Sequence, residues 1–239
     1  MTQAYQLGTF VKTASPHIIE VLGTTKLDFV CIDAEHAPLD RATLDMMVLA
    51  TRATKLKAFI RIAEVNPAVV LSALDIGAAG ILVPHIDSAE DARKVVAMAR
   101  YKGGSRGYSS SPRFAGYGSL GMKEALRIGD EAQVICQIES EDALKDVEAI
   151  AAVPGVAGLF VGRADLALSM GLDNPREPRV LEATHHVLAV AKKAGKLAGM
   201  FVGGNAERDE FAALGADWFI VSSDQTLLRQ GAQAIAHAN

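Results

Sequence analysis

Short runs that are apolar at successive positions alternate along the whole chain with longer stretches of helical period. The runs fall at 7–11, 29–33, 57–62, 80–84, 134–139, 157–162, 197–202 and 217–222. A strand apolar on both faces must be covered on both sides, which is how parallel strands between helices read. Helical spacing predicts segments near 15–22, 41–54, 67–77, 88–100, 140–152, 179–194 and 205–214, with another after 224. Asn66-Pro67 supplies a cap and a proline at the first helical position, where no N–H partner is needed. Ser88 and Ser140 each precede acids that suit a helix N-terminus. Ile76-Gly77-Ala78 and Leu214-Gly215-Ala216 repeat one pattern of helix stop before a strand. Eight βα units in 239 residues predict a (β/α)8 TIM barrel, one domain over 1–239.

One stretch breaks the rhythm. From Tyr101 to Gly121 the chain is rich in Gly and Ser, with three tyrosines and three lysines or arginines. A loop of that length in a compact domain is usually functional, and it is expected here to fold over the barrel mouth as a lid.

Composition narrows the field. With 24 basic and 28 acidic residues the net charge is −4, and no basic stripe or long like-charge run occurs. Nucleic-acid and membrane-surface binding are therefore excluded as expectations. Nothing in the sequence reaches membrane-spanning length, and the start of the chain lacks a basic region followed by an apolar one. Cys31 and Cys136 both sit inside predicted strands, so they read as inert core thiols of a cytoplasmic protein.

In this fold the C-terminal ends of the strands carry the chemistry. Reading off those ends gives Asp33, Glu35 and His36, then Arg61, His85, Gln137, Glu139 and Asp165. Strand seven opens into Gly203-Gly204-Asn205 and strand eight ends at Ser222-Ser223-Asp224. Glu139 and Asp165 leave adjacent strands, and two carboxylates there have the chemistry to hold a hard divalent cation through oxygen. Arg61 lies among apolar neighbours, where an unpaired guanidinium is costly, so it requires an anionic or carbonyl partner. His17, His185, His186 and His237 fall on helical or terminal segments and read as background. A Schiff-base route needs a strand-end lysine at the mouth; Lys57 and Lys196 lie at the wrong ends, which leaves only Lys12. No Cys–His spacing suggests a structural zinc site.

These same residues carry a resemblance. Asp33-Ala-Glu35-His36-Ala-Pro38, Arg61-Ile62, Leu74-Asp75-Ile-Gly77, Pro84-His85-Ile-Asp87 and Arg106-Gly107 resemble, in order and spacing, the HpcH/HpaI aldolase family. Gln137-Ile-Glu139-Ser140 and Val161-Gly-Arg-Ala164-Asp165-Leu166 continue the match over nearly the whole chain. The resemblance implies a class II aldolase that joins pyruvate or hydroxypyruvate to an aldehyde, or cleaves the resulting 4-hydroxy-2-oxo acid. It also implies a metal-stabilised enolate, the metal being Mg²⁺, Mn²⁺ or Co²⁺. Glu139 and Asp165 would then hold the metal, while Arg61, Gln137 and Ala164 contact the keto acid. His36 would be the acid–base group, with Asp75 as its partner and Asp33 behind it. Relatives commonly form hexamers, trimers of dimers that exchange a C-terminal helix, so the segment after Asp224 is the candidate for exchange. His85 departs from the pattern, since many relatives are apolar there. Together with Phe201 and Val202 it is expected to set the choice of aldehyde. Two other readings use the same residues: a metal-enolate lyase of the oxaloacetate decarboxylase or citrate-lyase kind, and a non-catalytic barrel that binds sugar acids or phosphate.

Overall fold

Side chains of successive strand residues point to opposite faces, so every second residue of each strand enters the barrel lumen. The computed structural model describes residues 5–236. In them all eight predicted strands form: β1 Gln6–Val11, β2 Phe29–Asp33, β3 Lys57–Arg61, β4 Gly80–Val83, β5 Gln133–Ile138, β6 Val156–Val161, β7 Leu197–Val202 and β8 Trp218–Ser223. They are parallel, pair in sequence order, and close between β8 and β1. Helices follow: α1 Pro16–Gly23, α2 Arg41–Thr51, α3 Pro67–Asp75, α4 Ala89–Ala99, α5 Met122–Gly129, α6 Glu141–Lys145, α7 Val147–Ala152, α8 Arg163–Ser169, α9 Pro178–Lys193, α10 Asn205–Ala213 and α11 Asp224–Ala236. His237 lies outside the described residues.

The lumen is filled by a mainly aromatic cluster of Phe10, Phe29, Phe59, Phe160 and Trp218 with Cys31, Leu82, Ile135 and Ile220. Phe29 and Trp218 stack with centroids 4.2 Å apart. Gly8 has no Cβ where the Phe29 ring sits, so a side chain at that position would collide with it. One step further along the inward face, Cys31 is followed by Asp33, Phe59 by Arg61 and Ile135 by Gln137. A polar layer therefore caps the apolar one at the C-terminal ends of the strands. The alternate residues, such as Val30, Ile60, Cys136 and Val202, pack outward against the helices.

The caps follow the sequence. Asn66 accepts the Ala68 N–H at 2.8 Å, Ser88 that of Asp91 at 3.2 Å and Ser140 that of Ala143 at 3.0 Å. Gly77 and Gly215 adopt φ of 92° and 99°, the left-handed conformation glycine tolerates best. The helix expected over 140–152 divides at Asp146, whose carboxylate turns away to accept the Ala89 N–H at 2.6 Å. Both cysteines are free and buried, and burial pushes the Cys136 thiol up to about 12. Among the described residues no helix is long and apolar enough to cross a membrane.

The expected lid is not at the mouth. Helix α4 runs back along the barrel before residue 101, which delivers the loop to the outer flank and base. There Arg113 donates to the carbonyls of Ile76 (2.7 Å) and Asp45 (3.2 Å), and Tyr101 N–H donates to Asp130 at 2.7 Å. The segment holds a 3-10 turn over Arg113–Gly118, and α5, which the sequence reading did not place, follows it directly.

Candidate active site

The polar layer is organised around Asp33, which is fully buried. Its carboxylate takes Arg61 Nε at 2.9 Å and Nη2 at 2.6 Å, accepts the His36 N–H at 3.2 Å, and lies 3.1 Å from Lys12 Nζ. Burial alone raises an aspartate; here the bidentate guanidinium outweighs it and holds Asp33 below the usual carboxylate range. Arg61 is raised in turn, burial being outweighed by Asp33, and its guanidinium lies 4.5 Å over the Phe10 ring. Asp33 occupies Nε and Nη2, leaving Nη1 without a partner among the described residues.

Glu35 has an ambiguous partnership. One oxygen is 3.2 Å from Arg61 Nε, yet that N–H is already donated to Asp33, and Glu35 Oε2 is buried without a hydrogen bond. Burial therefore dominates and pushes the Glu35 carboxyl above its ordinary range, against the pull of Arg61 and His36.

On β5, Gln137 donates to Glu139, which is 5% exposed. The other Glu139 oxygen accepts the His85 N–H at 2.7 Å and lies 3.1 Å from His85 Nδ1. His85 holds φ of 55°, an uncommon conformation for a residue with a side chain, and in it the N–H meets Glu139. Gly162, in the turn after β6, leaves the space this carboxylate uses. A Cβ there would lie 2.8 Å from Glu139 Oε2 and 3.0 Å from Gln137 Nε2. Gly162→Ala is accordingly expected to cost about 1–3 kcal/mol through overpacking. It should also displace Glu139, and Mn²⁺ titration paired with urea unfolding reads both effects.

A cavity of about 830 Å³ opens over this layer, lined by His36, Arg61, Gln137, Ala164, Asp165 and Phe201 among others. Six predicted site residues thus share one wall system, with Asp33 and Glu139 buried beneath it. Asp165 is exposed in the first turn of α8, one strand over from Glu139. Two predicted residues are elsewhere. Val202 is fully buried on the outward face of β7, because Phe201 takes the inward position. Asp75 ends α3 on the flank and is bound by Arg106 at 3.0 Å, away from His36 within one protomer. His85 stands at the rim with its side chain 71% exposed, over Glu139 and outside the cavity lining.

Several participants carry no role in the sequence reading. Phe10 supports Arg61, Gly162 makes room for Glu139, and Arg163 and Arg176 share Glu207 at 2.7 and 3.1 Å on the β7 side. Alternation from Phe160 to residue 162 is the one signal that could have pointed to Gly162.

The donor set suits a hard cation. Glu139 and the Gln137 amide meet at Gly162, a position kept free of a Cβ, and Gln137 Oε1 is buried without a hydrogen-bond partner among the described residues. Asp165 follows the adjacent strand. Among the described residues no group of three or more His, Cys, Asp or Glu side chains is arranged to hold a metal ion.

Comparison with known proteins gives a consistent picture. Residues 6–231 match the family described as HpcH/HpaI aldolase/citrate lyase. A 5-keto-4-deoxy-D-glucarate aldolase from Klebsiella pneumoniae is 37% identical over 235 residues, 98% of this chain and 91% of that protein. The crystal structure of a HpcH/HpaI aldolase/citrate lyase family protein from Burkholderia cenocepacia superposes with a TM-score of 0.92 at 34% identity, covering 98% of this chain and 94% of that one. A citrate synthase structure superposes with a TM-score of 0.88 at 25% identity, covering 98% and 92%.

Proposed function

The chain belongs to the HpcH/HpaI aldolase/citrate lyase family, and from that premise we propose that it is a divalent-metal-dependent class II aldolase acting on 4-hydroxy-2-oxo acids. The carrying observation is the single cavity that combines His36, Arg61, Gln137 and Asp165 above buried Glu139. Glu139 and Asp165 would hold the cation, Mg²⁺ or Mn²⁺ with Co²⁺ as a further candidate. When bound, it supplies Lewis-acid stabilisation of negative charge on the keto oxygen.

The remaining work falls to the chain's own groups. Arg61, fixed by Asp33 and seated on Phe10, offers Nη1 to the oxygens of pyruvate or hydroxypyruvate, a preorganised charge that needs no reorientation. Gln137 is held by Glu139 and orients the same ligand. In cleavage His36 accepts the proton of the C4 hydroxyl. The C3–C4 bond then breaks, its electron pair passes to the keto-acid half, the aldehyde departs, and C3 regains a proton. His36 carries a side chain 57% exposed on the cavity wall, so His36→Ala should spare the fold and lower kcat roughly 10²–10⁴-fold. A coupled pyruvate assay reads that loss.

The compound named for the Klebsiella relative is a six-carbon diacid with its keto group beside one carboxylate. Aldol cleavage of such a diacid balances as pyruvate plus 2-hydroxy-3-oxopropanoate. It is the first substrate to test here: magnesium-dependent release of pyruvate supports the proposal, and inertness toward every 4-hydroxy-2-oxo acid in a panel overturns it. Oxaloacetate decarboxylation remains the second reading, because it needs the same keto-acid half-site. A citrate-lyase-type coenzyme A substrate finds less support in one protomer. Arg106 is 1% exposed and bound to Asp75, and Arg113 is bound to Asp45 on the flank. We further propose a cytoplasmic homo-oligomer, a hexamer in which α11 is exchanged. Helix α11 leaves Leu228 and Ile235 exposed at 73% and 80%, as a helix with an external partner does.

A further inference from the structure

The cavity is larger than a three-carbon keto acid, and beyond Phe10 the wall at the ends of β1 and β8 and the start of α11 has no part in the steps above. Lys12, Ser223 and Thr226 line that wall. The Lys12 backbone N–H is donated to Asp224 Oδ1 at 2.9 Å and that of Thr13 to Oδ2 at 3.0 Å. Asp224 is 7% exposed at the start of α11, so the exit of β1 is clamped to that helix and the lysine is fixed at the mouth. Its ammonium has three donors, and Asp33, 3.1 Å away, is its one ionic partner among the described residues. Arg61, by contrast, spends two donors on the same carboxylate and is 8% exposed against 26% for Lys12. In the same cavity lining, Ser223 Oγ donates to Thr226 Oγ1 at 3.1 Å, which leaves the Thr226 hydroxyl proton for a ligand.

An ammonium with spare donors, sharing a cavity wall with a hydroxyl, fits a carboxylate next to a hydroxyl-bearing carbon. We infer that Lys12, with Thr226 on the same cavity wall, is the anchor for the carboxylate of an acidic acceptor aldehyde, making it a specificity-determining residue. The cavity then holds two carboxylates: that of the keto acid on the Arg61 side and that of the acceptor at Lys12. This inference rests on the aldolase reading and assigns Lys12 a charge-recognition task instead of Schiff-base chemistry.

The test compares two acceptors that differ at one group, 2-hydroxy-3-oxopropanoate and glyceraldehyde, whose hydroxymethyl replaces the carboxylate. For each enzyme form the readout is the ratio of kcat/KM for the acid to that for the neutral aldehyde, with pyruvate as donor. A general loss transmitted through Asp33 cancels in that ratio. The native chain should favour the acid, Lys12→Met should lower the ratio roughly tenfold or more, and Lys12→Arg should restore most of it. Where Lys12→Met fails to fold, Lys12→Gln carries the same comparison. An unchanged ratio overturns the inference, as does refusal of the acid by a native chain that still exchanges the C3 protons of pyruvate. Absence of that exchange in the native chain is the separate result that defeats the aldolase reading itself.

Discussion

Asp165→Asn and Glu139→Gln are each expected to abolish metal-dependent turnover, and the two should differ in what they do to the fold. Asp165 is exposed in the first turn of α8, where loss of one negative charge costs about 0.3–1 kcal/mol through the helix dipole. Glu139 is 5% exposed, and its oxygens accept from the His85 N–H and from Gln137. A glutamine there sets its own NH₂ against one of those donors whichever way it turns, costing about 1–3 kcal/mol. Asp165→Asn is thus the cleaner experiment: a near-native Tm, no saturable Mn²⁺ binding and no turnover. Retention of turnover within tenfold in Asp165→Asn would remove this residue from the site.

Arg61→Ala should damage both stability and function. It strands Asp33, fully buried, with Lys12 as its remaining ionic partner, and breaking such a pair typically costs about 3–5 kcal/mol. The pH dependence of unfolding should change sign as well. In the native chain Asp33 is depressed, so the stability it contributes is present above the unfolded aspartate value, near 4, and lost as pH falls through the lower folded value. Without Arg61 burial prevails and the carboxyl rises, so the variant loses stability as pH increases through that raised value. Urea unfolding followed from about pH 3 to 7 distinguishes the two slopes. Parallel curves for the two proteins would show that Arg61 does not govern Asp33. Keto-acid binding should weaken in the variant along with kcat.

The fold was legible because its signal is strong and local. Eight doubly apolar runs separated by helical periods admit few arrangements, and the caps at Asn66, Ser88 and Ser140 form as their residue types dictate. The inward polar layer could be read from strand ends, since Asp33, Arg61 and Gln137 follow lumen residues by two positions. What failed depends on facts a linear pattern lacks. Val202 was one position out of phase with Phe201, and the alternation that decides this needs the register of β7. Placement of the 101–121 loop depends on where α4 ends, and Asp75 on Arg106 being brought to it from thirty-one residues away. Lys12 was visible only as an amine; its pairing with Asp33 needs β1 and β2 side by side, and the clamp from Asp224 joins opposite ends of the chain.

Proton exchange at C3 of pyruvate in deuterated water, followed by NMR with no aldehyde present, is the most direct test of metal-assisted enolisation. Exchange is expected in the presence of Mg²⁺ or Mn²⁺, its loss on thorough chelation, and its return when the cation is restored. Exchange that survives chelation, joined by borohydride trapping of pyruvate on Lys12, would contradict it.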